Sequence, residues 1–552
     1  MGQISVGVNR GPYDCAVSVF DDDNLLLYIE AERLSNIKHD SKPFLALEMV
    51  RNQISQIDNL VLSGLAETVA YDSFKDRDVY SGILCTYKSA LNKPVVLYDE
   101  YHEHHRNHAS NAFYNSGFDK ALCVVKDVFG SVVHLDNGFS GTEISSAFVA
   151  NYPSIFRILE KHITVPVDFI EPKNWANQFT YATNSVSEAS AFSLTAKAFG
   201  FERHDAGKIM SMAAYGEDDP SIPDLITEDG LLNPDIFCYD NENEGLVELK
   251  FNYAIPETFQ GKANFAYKLQ TQIQEHVANH ILKLLKISRQ KNLCLSGEYF
   301  LNCVSNNYLL KRLPKDVKVY IDPICLDSGT AIGAVKYINR IRTEDKTPVP
   351  LTTLYLGPKY AYTLDDLQGL TYKKVVPSDV ANILKEGKMV ALYQGRSEAG
   401  PRALGNRSIL FDPQRADGKD YVNRVKKREN FKPFAGTVLL EHAQEWFELR
   451  SLSESKYMMF ALDVKEDKKD QIPAITHKDG TSRIQTLTKE DNPHFYELIE
   501  EFNKLTGVPI LLNTSFNLAG DSLVETLQDA VWTFNNSEID CLYLPELGVL
   551  IE

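Results

Sequence analysis

Short apolar runs separated by turn residues open the chain. ISVGVNRG, CAVSVFDD and NLLLYIEAE are each strand-length and rich in aliphatic and β-branched residues, with Gly/Pro and Asp/Asn chemistry between them. This pattern predicts a three-stranded meander. A further apolar strand, ALCVVKD (121–127), ends in an acid and is followed by FGSVVHLDNG, so a strand with an acidic end and a glycine turn recurs where a second half-domain would begin. Between 262 and 290 the spacing becomes helical, leading into the strand NLCLSG and a helix from LNCVSNNYLL. Strands alternating with helices predict an α/β class.

Periodicity is lost across RTEDKTPVPLTTLYLGPKYAY, which is rich in Pro, Thr and charge. The expected organisation is a domain over 1–345, a linker over 346–360 and a second domain over 361–552. The second domain begins with the helix-like DVANILKEGK and the strand MVALYQG, and contains the buried-strand pattern GVPILLNTSFN. A length of 552 residues agrees with more than one core. With 57 basic and 75 acidic side chains the net charge is −18, which repels polyanions and acidic membranes, so any nucleic-acid contact needs a local basic groove such as Lys311, Arg312, Lys315 and Lys318. No run approaches the roughly 18 apolar residues of a membrane span and no secretory leader is read, so a cytoplasmic protein is expected. The eight cysteines contain no C-x-x-C and read as reduced, mostly buried thiols.

The densest chemistry is YHEHHRNHASNAFY (101–114), where His102, His104, His105 and His108 fall close together. On a helix His104 and His108, at i and i+4, share one face and suit one divalent metal, while His102 and His105 point elsewhere. His276 and His280 repeat the spacing in EHVANH without an acidic strand end or glycine turn nearby, and read as structural. Asp127 and Asp327, the latter in LDSGTAIGA before a Gly-rich helix start, complete a mixed N/O set suited to Fe(II), Mn(II) or Zn(II). LSGEYFLNCVSNN places a turn at Gly297 before a helix start bearing Asn302 and Asn306, and AGKIMSMAAYG adds Lys208; both suit phosphate or ribose contacts. In the second domain, QGRSEAGPRALGNRSILFDP packs Arg396, Arg402, Arg407, Gly405 and Ser408 into one loop, an arrangement for anions. A P-loop is excluded, because Asn406 and Arg407 stand where Lys-Ser/Thr is required. Lys426, Arg428, Arg483 and Asn513, from separate segments, form a second candidate anion pocket.

These strings, from GVNRGPYDCAVSVF and EAERLSNIKHD through HHRNHASNAFY, VVKDVFG and DSGTAIGA to GPRALGNRSIL, KKRENFKPFAG, HKDGTSRIQT and TGVPILLNTSFN, resemble the O-carbamoyltransferases of the nodulation and cephalosporin type (NodU/CmcH) over almost the whole chain. The resemblance implies an N-terminal actin-like ATPase-type (ASKHA) domain similar to threonylcarbamoyl-adenosine transferases, and a C-terminal YrdC-like α/β domain. It implies that carbamoyl phosphate and ATP, with Mg(II), form carbamoyl-adenylate, from which the carbamoyl group passes to an acceptor hydroxyl. Carried over, it implies His104, His108, Asp127 and Asp327 as metal ligands, Fe(II) foremost. Lys426, Arg428 and Arg483 would contact carbamoyl phosphate and adenylate, with Arg402, Arg407, Ser408, Asn513, Ser515 and Asn517 around the nucleotide.

One departure bears on the proton transfer. The family's histidine before the Asp of the first hairpin is Tyr13 here, followed by Asp14, so Asp14, Tyr13 and His39 are the candidates at this position, tyrosine being a poor base near its ordinary pKa of about 10. Expected partners are carbamoyl phosphate and a hydroxyl-bearing acceptor, either a small molecule or sugar or a hydroxymethylated pyrimidine in DNA, with no membrane and with a homodimer among the permitted states. Two alternatives stand beside this reading: a tRNA threonylcarbamoyl-adenosine type transferase, and a non-enzymatic nucleotide-binding regulator of actin-like fold.

Overall fold

The computed structural model describes residues 2–11, 13–54, 56–65, 95–134, 140–165, 173–174, 179–240 and 248–552. The chain folds as two compact units, Met1–Ala31 with His39–Thr352, and Glu32–Lys38 with Thr353–Glu552. The second unit thus takes a short segment from near the start of the chain.

In the first unit the three opening runs form the antiparallel strands Ile4–Arg10, Ala16–Asp21 and Asn24–Glu30. Asn59–Gly64 pairs parallel to the first of them, and Val96–Asp99 parallel to Asn59–Gly64. Numbered along the chain, these five strands lie in the order 3-2-1-4-5. The second sheet repeats that plan. Lys120–Lys126, Ser140–Asn151 and Ile155–Thr164 are antiparallel, and Asn292–Ser296 and Lys318–Ile321 add parallel strands on the other side of Lys120–Lys126, again 3-2-1-4-5 among these five. The repeat suggested by the acidic strand end therefore lives in strand order, where residue identity shows little of it.

The helix Thr330–Thr343 lies on the first sheet, the helix His104–Ser116 lies on the second, and the two helices pack together between the sheets. Because His104–Ser116 is buried on nearly every face, its polar side chains must be satisfied internally. Asn111 and Asn115 donate to Asp322 at 3.1 and 2.9 Å, and Lys336 donates to Asn115 Oδ1 at 2.8 Å. Gly64 and Ser296 end their strands and Asp127 follows another, so the C-terminal ends of strands from both sheets meet at one place, where open α/β sheets bind ligands. The helix expected over 262–290 runs Phe259–Ser288, its start fixed by Thr258, whose side chain accepts from Gly261 N.

The second unit is built on a mixed sheet in which Val390–Tyr393, Arg407–Phe411, Ile510–Ser515, Ala435–Leu439 and Thr481–Leu487 lie side by side in that order. Ser408 is opposite Ser515, and Ala435 is opposite both Asn513 and Arg483. Since side chains alternate with a period of two, Ser408, Ser515, Asn513, Arg483, Gln485 and Thr437 share one face. The helix Pro493–Thr506 buries Phe495, Leu498, Ile499 and Phe502 at helical spacing, each worth about 1.5–3 kcal/mol of apolar burial.

The seven described cysteines are free thiols, all buried except the half-buried Cys238; Cys85 lies outside the described residues.

Candidate functional site

In the first unit the convergence of strand ends and helix starts draws four side chains into one buried cluster. His104 and His108 enter from the first turns of their helix, Asp127 from the end of Lys120–Lys126, and Asp327 from just before Thr330–Thr343; one ligand atom from each lies within 4.8 Å of the others. His104 Nε2 is 3.2 Å from both Asp127 Oδ2 and Asp327 Oδ1, and His108 Nε2 is 3.2 and 3.5 Å from the same two oxygens. The two Nε2 atoms face each other at 3.1 Å.

The surroundings fix this orientation. His104 Nδ1 lies 3.1 Å from Gly64 O and His108 Nδ1 lies 3.3 Å from Ser296 Oγ, so the tautomers that donate from Nδ1 turn both Nε2 lone pairs inward. Asp127 Oδ1 accepts from Val128 N at 2.9 Å and Glu298 N at 3.3 Å, which turns Oδ2 toward the imidazoles. Two facing lone pairs flanked by two carboxylates repel unless a proton or a cation lies among them, and this donor set fits a divalent cation. Without one, burial opposes protonation of His104, but Asp327 and Asp127 outweigh it and hold its pKa well above the ordinary histidine value. Burial likewise opposes ionisation of Asp127, and His108 and His104 overcome it, holding the carboxyl well below its usual range.

His102 is exposed, and His105 is directed to Ser146 Oγ at 2.8 Å and pushed down to about 4 by burial, so neither joins the cluster. His276 and His280 do not converge either: His276 Nε2 lies 3.6 Å from Glu188 Oε1, and His280 Nε2 lies 2.7 Å from Glu160 Oε1.

Beside the cluster the first hairpin turn carries a second group. Gly11 is close enough that a Cβ there would stand 3.7 Å from Asp327 Oδ2. Asp14 and His39 both adopt left-handed backbone, φ 53° and 58°, and His39 Nδ1 is 2.7 Å from Asp14 Oδ1. His204 stacks on His39 with ring centroids 4.2 Å apart and meets the exposed ring of Tyr13 edge-on at 4.5 Å. Sequence reasoning missed His204; the available sign is that His39 and His204 both directly precede an aspartate. It also gave Glu298 no part in the chemistry. Burial, with Asp127 and Asp327 nearby, pushes that carboxyl well above its ordinary range.

Other candidates of this unit are turned to structural work. Asn302 caps the helix Cys303–Arg312 by accepting from Ser305 N at 3.0 Å and donates to Gln270 Oε1 at 2.9 Å; Asn306 donates to Phe300 O at 2.7 Å. Lys208 pairs with Asp205 at 2.9 Å. Gly297, at φ 99°, makes the turn between Ser296 and Glu298, where a Cβ would collide with the Lys126 carbonyl. In the basic row, Lys311, Lys315 and Lys318 are exposed, and Arg312 donates to Asn279 Oδ1 at 2.7 Å.

In the second unit the sequence-separated cations come together. Lys426 is 2% exposed; it donates to Ser515 O and, at 2.9 Å, to Asn517 Oδ1, which also accepts from Ser515 Oγ at 2.7 Å. Arg428 donates to Asn423 Oδ1 at 2.9 Å and lies over the Phe434 ring at 4.7 Å. Among the described residues no carboxylate reaches ion-pair distance of Lys426 or Arg428. Burial, reinforced by Arg428, Lys432 and Lys38, pushes Lys426 well below the ordinary lysine value, and burial with Arg483 beside it lowers Arg428 to about 10. A pocket in this state is stabilised by an anion. On the shared sheet face, Asn513 Nδ2 donates to Thr437 Oγ1 at 2.9 Å, while its Oδ1 is buried and unpartnered.

The GPRALGNRS loop departs from its expected role at two residues. Arg407 is fully buried and stacked over Tyr393 at 4.0 Å, and its nitrogens donate to the carbonyls of Gln394, Gly395, Asn406 and Glu525 at 2.5–3.2 Å. Its donors are spent on the loop's own backbone. Ser408 Oγ accepts from Gly405 N at 3.0 Å, and Gly405, at φ 113°, packs where a Cβ would meet the Phe495 ring. Arg402, half-buried, stays in the same loop. His477, missed by sequence reasoning, is held with Nε2 3.0 Å from Phe434 O beside Arg483.

Two buried polar centres, one of mixed N/O ligands and one cationic, are the outfit of a group-transfer enzyme of two α/β units. Family models agree: Carbamoyltransferase N-terminus matches residues 70–336 and Carbamoyltransferase C-terminus matches 381–550. The nodulation protein NolNO of Sinorhizobium fredii is 32% identical over 97% of this chain and 78% of its own length. An uncharacterized Synechocystis protein is 28% identical over 98% of this chain and 95% of that one. The 3'-hydroxymethylcephem-O-carbamoyltransferase of Amycolatopsis lactamdurans is 30% identical over 59% of this chain and 61% of its own. The chain belongs to the carbamoyltransferase family of the nodulation proteins and cephem O-carbamoyltransferase, and is a transferase.

Proposed function

We propose that this carbamoyltransferase is ATP-dependent and works in two steps: the second unit, YrdC-like in role, converts carbamoyl phosphate, ATP and one water into carbamoyl-adenylate, phosphate and pyrophosphate, and the first, an actin-like ATPase-type unit, transfers the carbamoyl group to an acceptor hydroxyl, releasing AMP. The observation that carries this reading is the buried Lys426 beside the half-buried Arg428, with no described carboxylate at ion-pair distance of either and with Arg483 next to Arg428. Such a pocket suits the phosphates of carbamoyl phosphate and ATP, and fixed positive charge stabilises phosphate and pyrophosphate as they leave. Asn513, Ser515, Asn517 and Arg402 are the polar groups at hand for the nucleotide. The duplicated 3-2-1-4-5 sheets support the actin-like reading of the first unit.

His104, His108, Asp127 and Asp327 would hold a divalent metal, Fe(II), Mn(II) or Zn(II), which supplies Lewis acidity toward the adenylate phosphate. His39 takes the acceptor proton: the tautomer that donates from Nδ1 to Asp14 leaves its basic nitrogen at Nε2, and Asp14 stabilises the imidazolium that forms. Glu298 lies beside Asp127 and Asp327, and burial with those two carboxylates pushes its carboxyl above the ordinary range. A small neutral hydroxyl acceptor suits the −18 net charge better than DNA.

The test is acceptor-free. Purified protein with ATP, Mg(II) and carbamoyl phosphate is expected to yield pyrophosphate and carbamoyl-adenylate, both read by mass spectrometry. Release of ADP without pyrophosphate would overturn the adenylate step.

A further inference from the structure

We propose that Glu160, His162 and His280 form a second divalent transition-metal site on the first unit, independent of the His104/His108/Asp127/Asp327 cluster. Glu160 and His162 stand at i and i+2 on the strand Ile155–Thr164 and so share one face, while His280 comes from the long helix Phe259–Ser288. The three meet at one point: His162 Nε2 lies 2.5 Å and His280 Nε2 2.7 Å from the same oxygen, Glu160 Oε1, and one ligand atom from each lies within 4.8 Å of the others. The rings are held by packing. His162 sits between Tyr181, 5.3 Å away centroid to centroid, and His280, which meets it edge-on at 5.8 Å.

The donor types match a ligand set. Two imidazoles and one carboxylate are the donors chosen by borderline cations such as Zn(II), Co(II), Ni(II) and Cu(II), and not by Mg(II) or Ca(II), which take oxygen. His162 is 31% exposed on its side chain, so water can reach the open coordination positions. A cation here joins a strand of the second sheet to the long helix, so its effect is on stability, without contact with the transfer chemistry.

The test uses the full chain. Metal-free protein is equilibrated with Zn(II), exchanged into metal-free buffer, and its bound zinc and thermal midpoint are measured for wild type, His108→Ala, His280→Ala and the double variant. The site predicts two equivalents in wild type, one in each single variant and none in the double, with Zn(II) raising the thermal midpoint of His108→Ala and leaving that of the double variant unmoved. Glu160→Gln, nearly isosteric, reads the same loss if His280→Ala does not fold. Wild-type zinc content in both His280→Ala and Glu160→Gln, or a wild type that binds one equivalent lost only with His108, overturns the proposal. If His108→Ala alone leaves the content unchanged while His280→Ala lowers it, the first cluster's assignment fails and this one stands.

Discussion

At the scale of single residues, similar side chains have been given unlike tasks, and burial with partners decides which. Arg407 is enclosed by carbonyls, whereas Arg428 and Lys426 lie beside other cations. Arg407→Met is therefore expected to destabilise the fold by about 3 kcal/mol, because several buried carbonyls lose their donor, and a urea midpoint measures it. At the first hairpin, His39→Gln is expected to lower kcat for carbamoyl transfer by about 10²–10⁴-fold with pyrophosphate formation unchanged, while Tyr13→Phe stays within a few-fold of wild type. Separate assays of the two half-reactions check this. The histidine pair His104/His108 was legible from i, i+4 spacing together with acidic strand ends. The structural duty of Arg407 was not, because an arginine in a glycine-rich loop has the same sequence signature whether its donors face a ligand or backbone carbonyls. His204 was equally hidden, since its stacking on His39 joins segments far apart in the chain.

Elements place these residues, and most of them could be read along the chain. The opening meander and the strand before Asp127 follow directly from short apolar runs bounded by turn residues, and the long helix from its helical spacing. The repeated order of the two sheets could not be read, because pairing order depends on contacts distant in sequence. The turn at Gly297 couples element to site: it sets Glu298 N on Asp127 Oδ1. Gly297→Ala, strained at φ 99° and crowded by the Lys126 carbonyl, is expected to cost about 2 kcal/mol or more and to weaken metal retention, read by thermal melts and metal content. The buried pair Lys126–Glu188 ties the strand Lys120–Lys126 to the helix Glu188–Ala198. Burial opposes the charge on Glu188, but Lys126 and His276 prevail and lower its pKa from 4.5 to about 2. With the folded value depressed, the pair's contribution is present above about pH 4.5 and lost as pH falls through about 2, a difference of ~3 kcal/mol. Wild type and Glu188→Gln should thus differ by that order at pH 7 and converge in acid, as measured by urea midpoints across pH.

On the scale of the whole molecule, the two units carry differently built centres. The proposed two-step reaction would make separable demands of them: a cationic pocket for making the activated carbamoyl group, and a histidine–aspartate cluster with the Asp14–His39 pair for transferring it. The most direct measurement is pyrophosphate and carbamoyl-adenylate formation, without acceptor, by wild type, Arg483→Ala and His108→Ala. The division predicts that Arg483→Ala abolishes both products while His108→Ala forms them at the wild-type rate and has lost its metal. Equal loss in the two variants would contradict it.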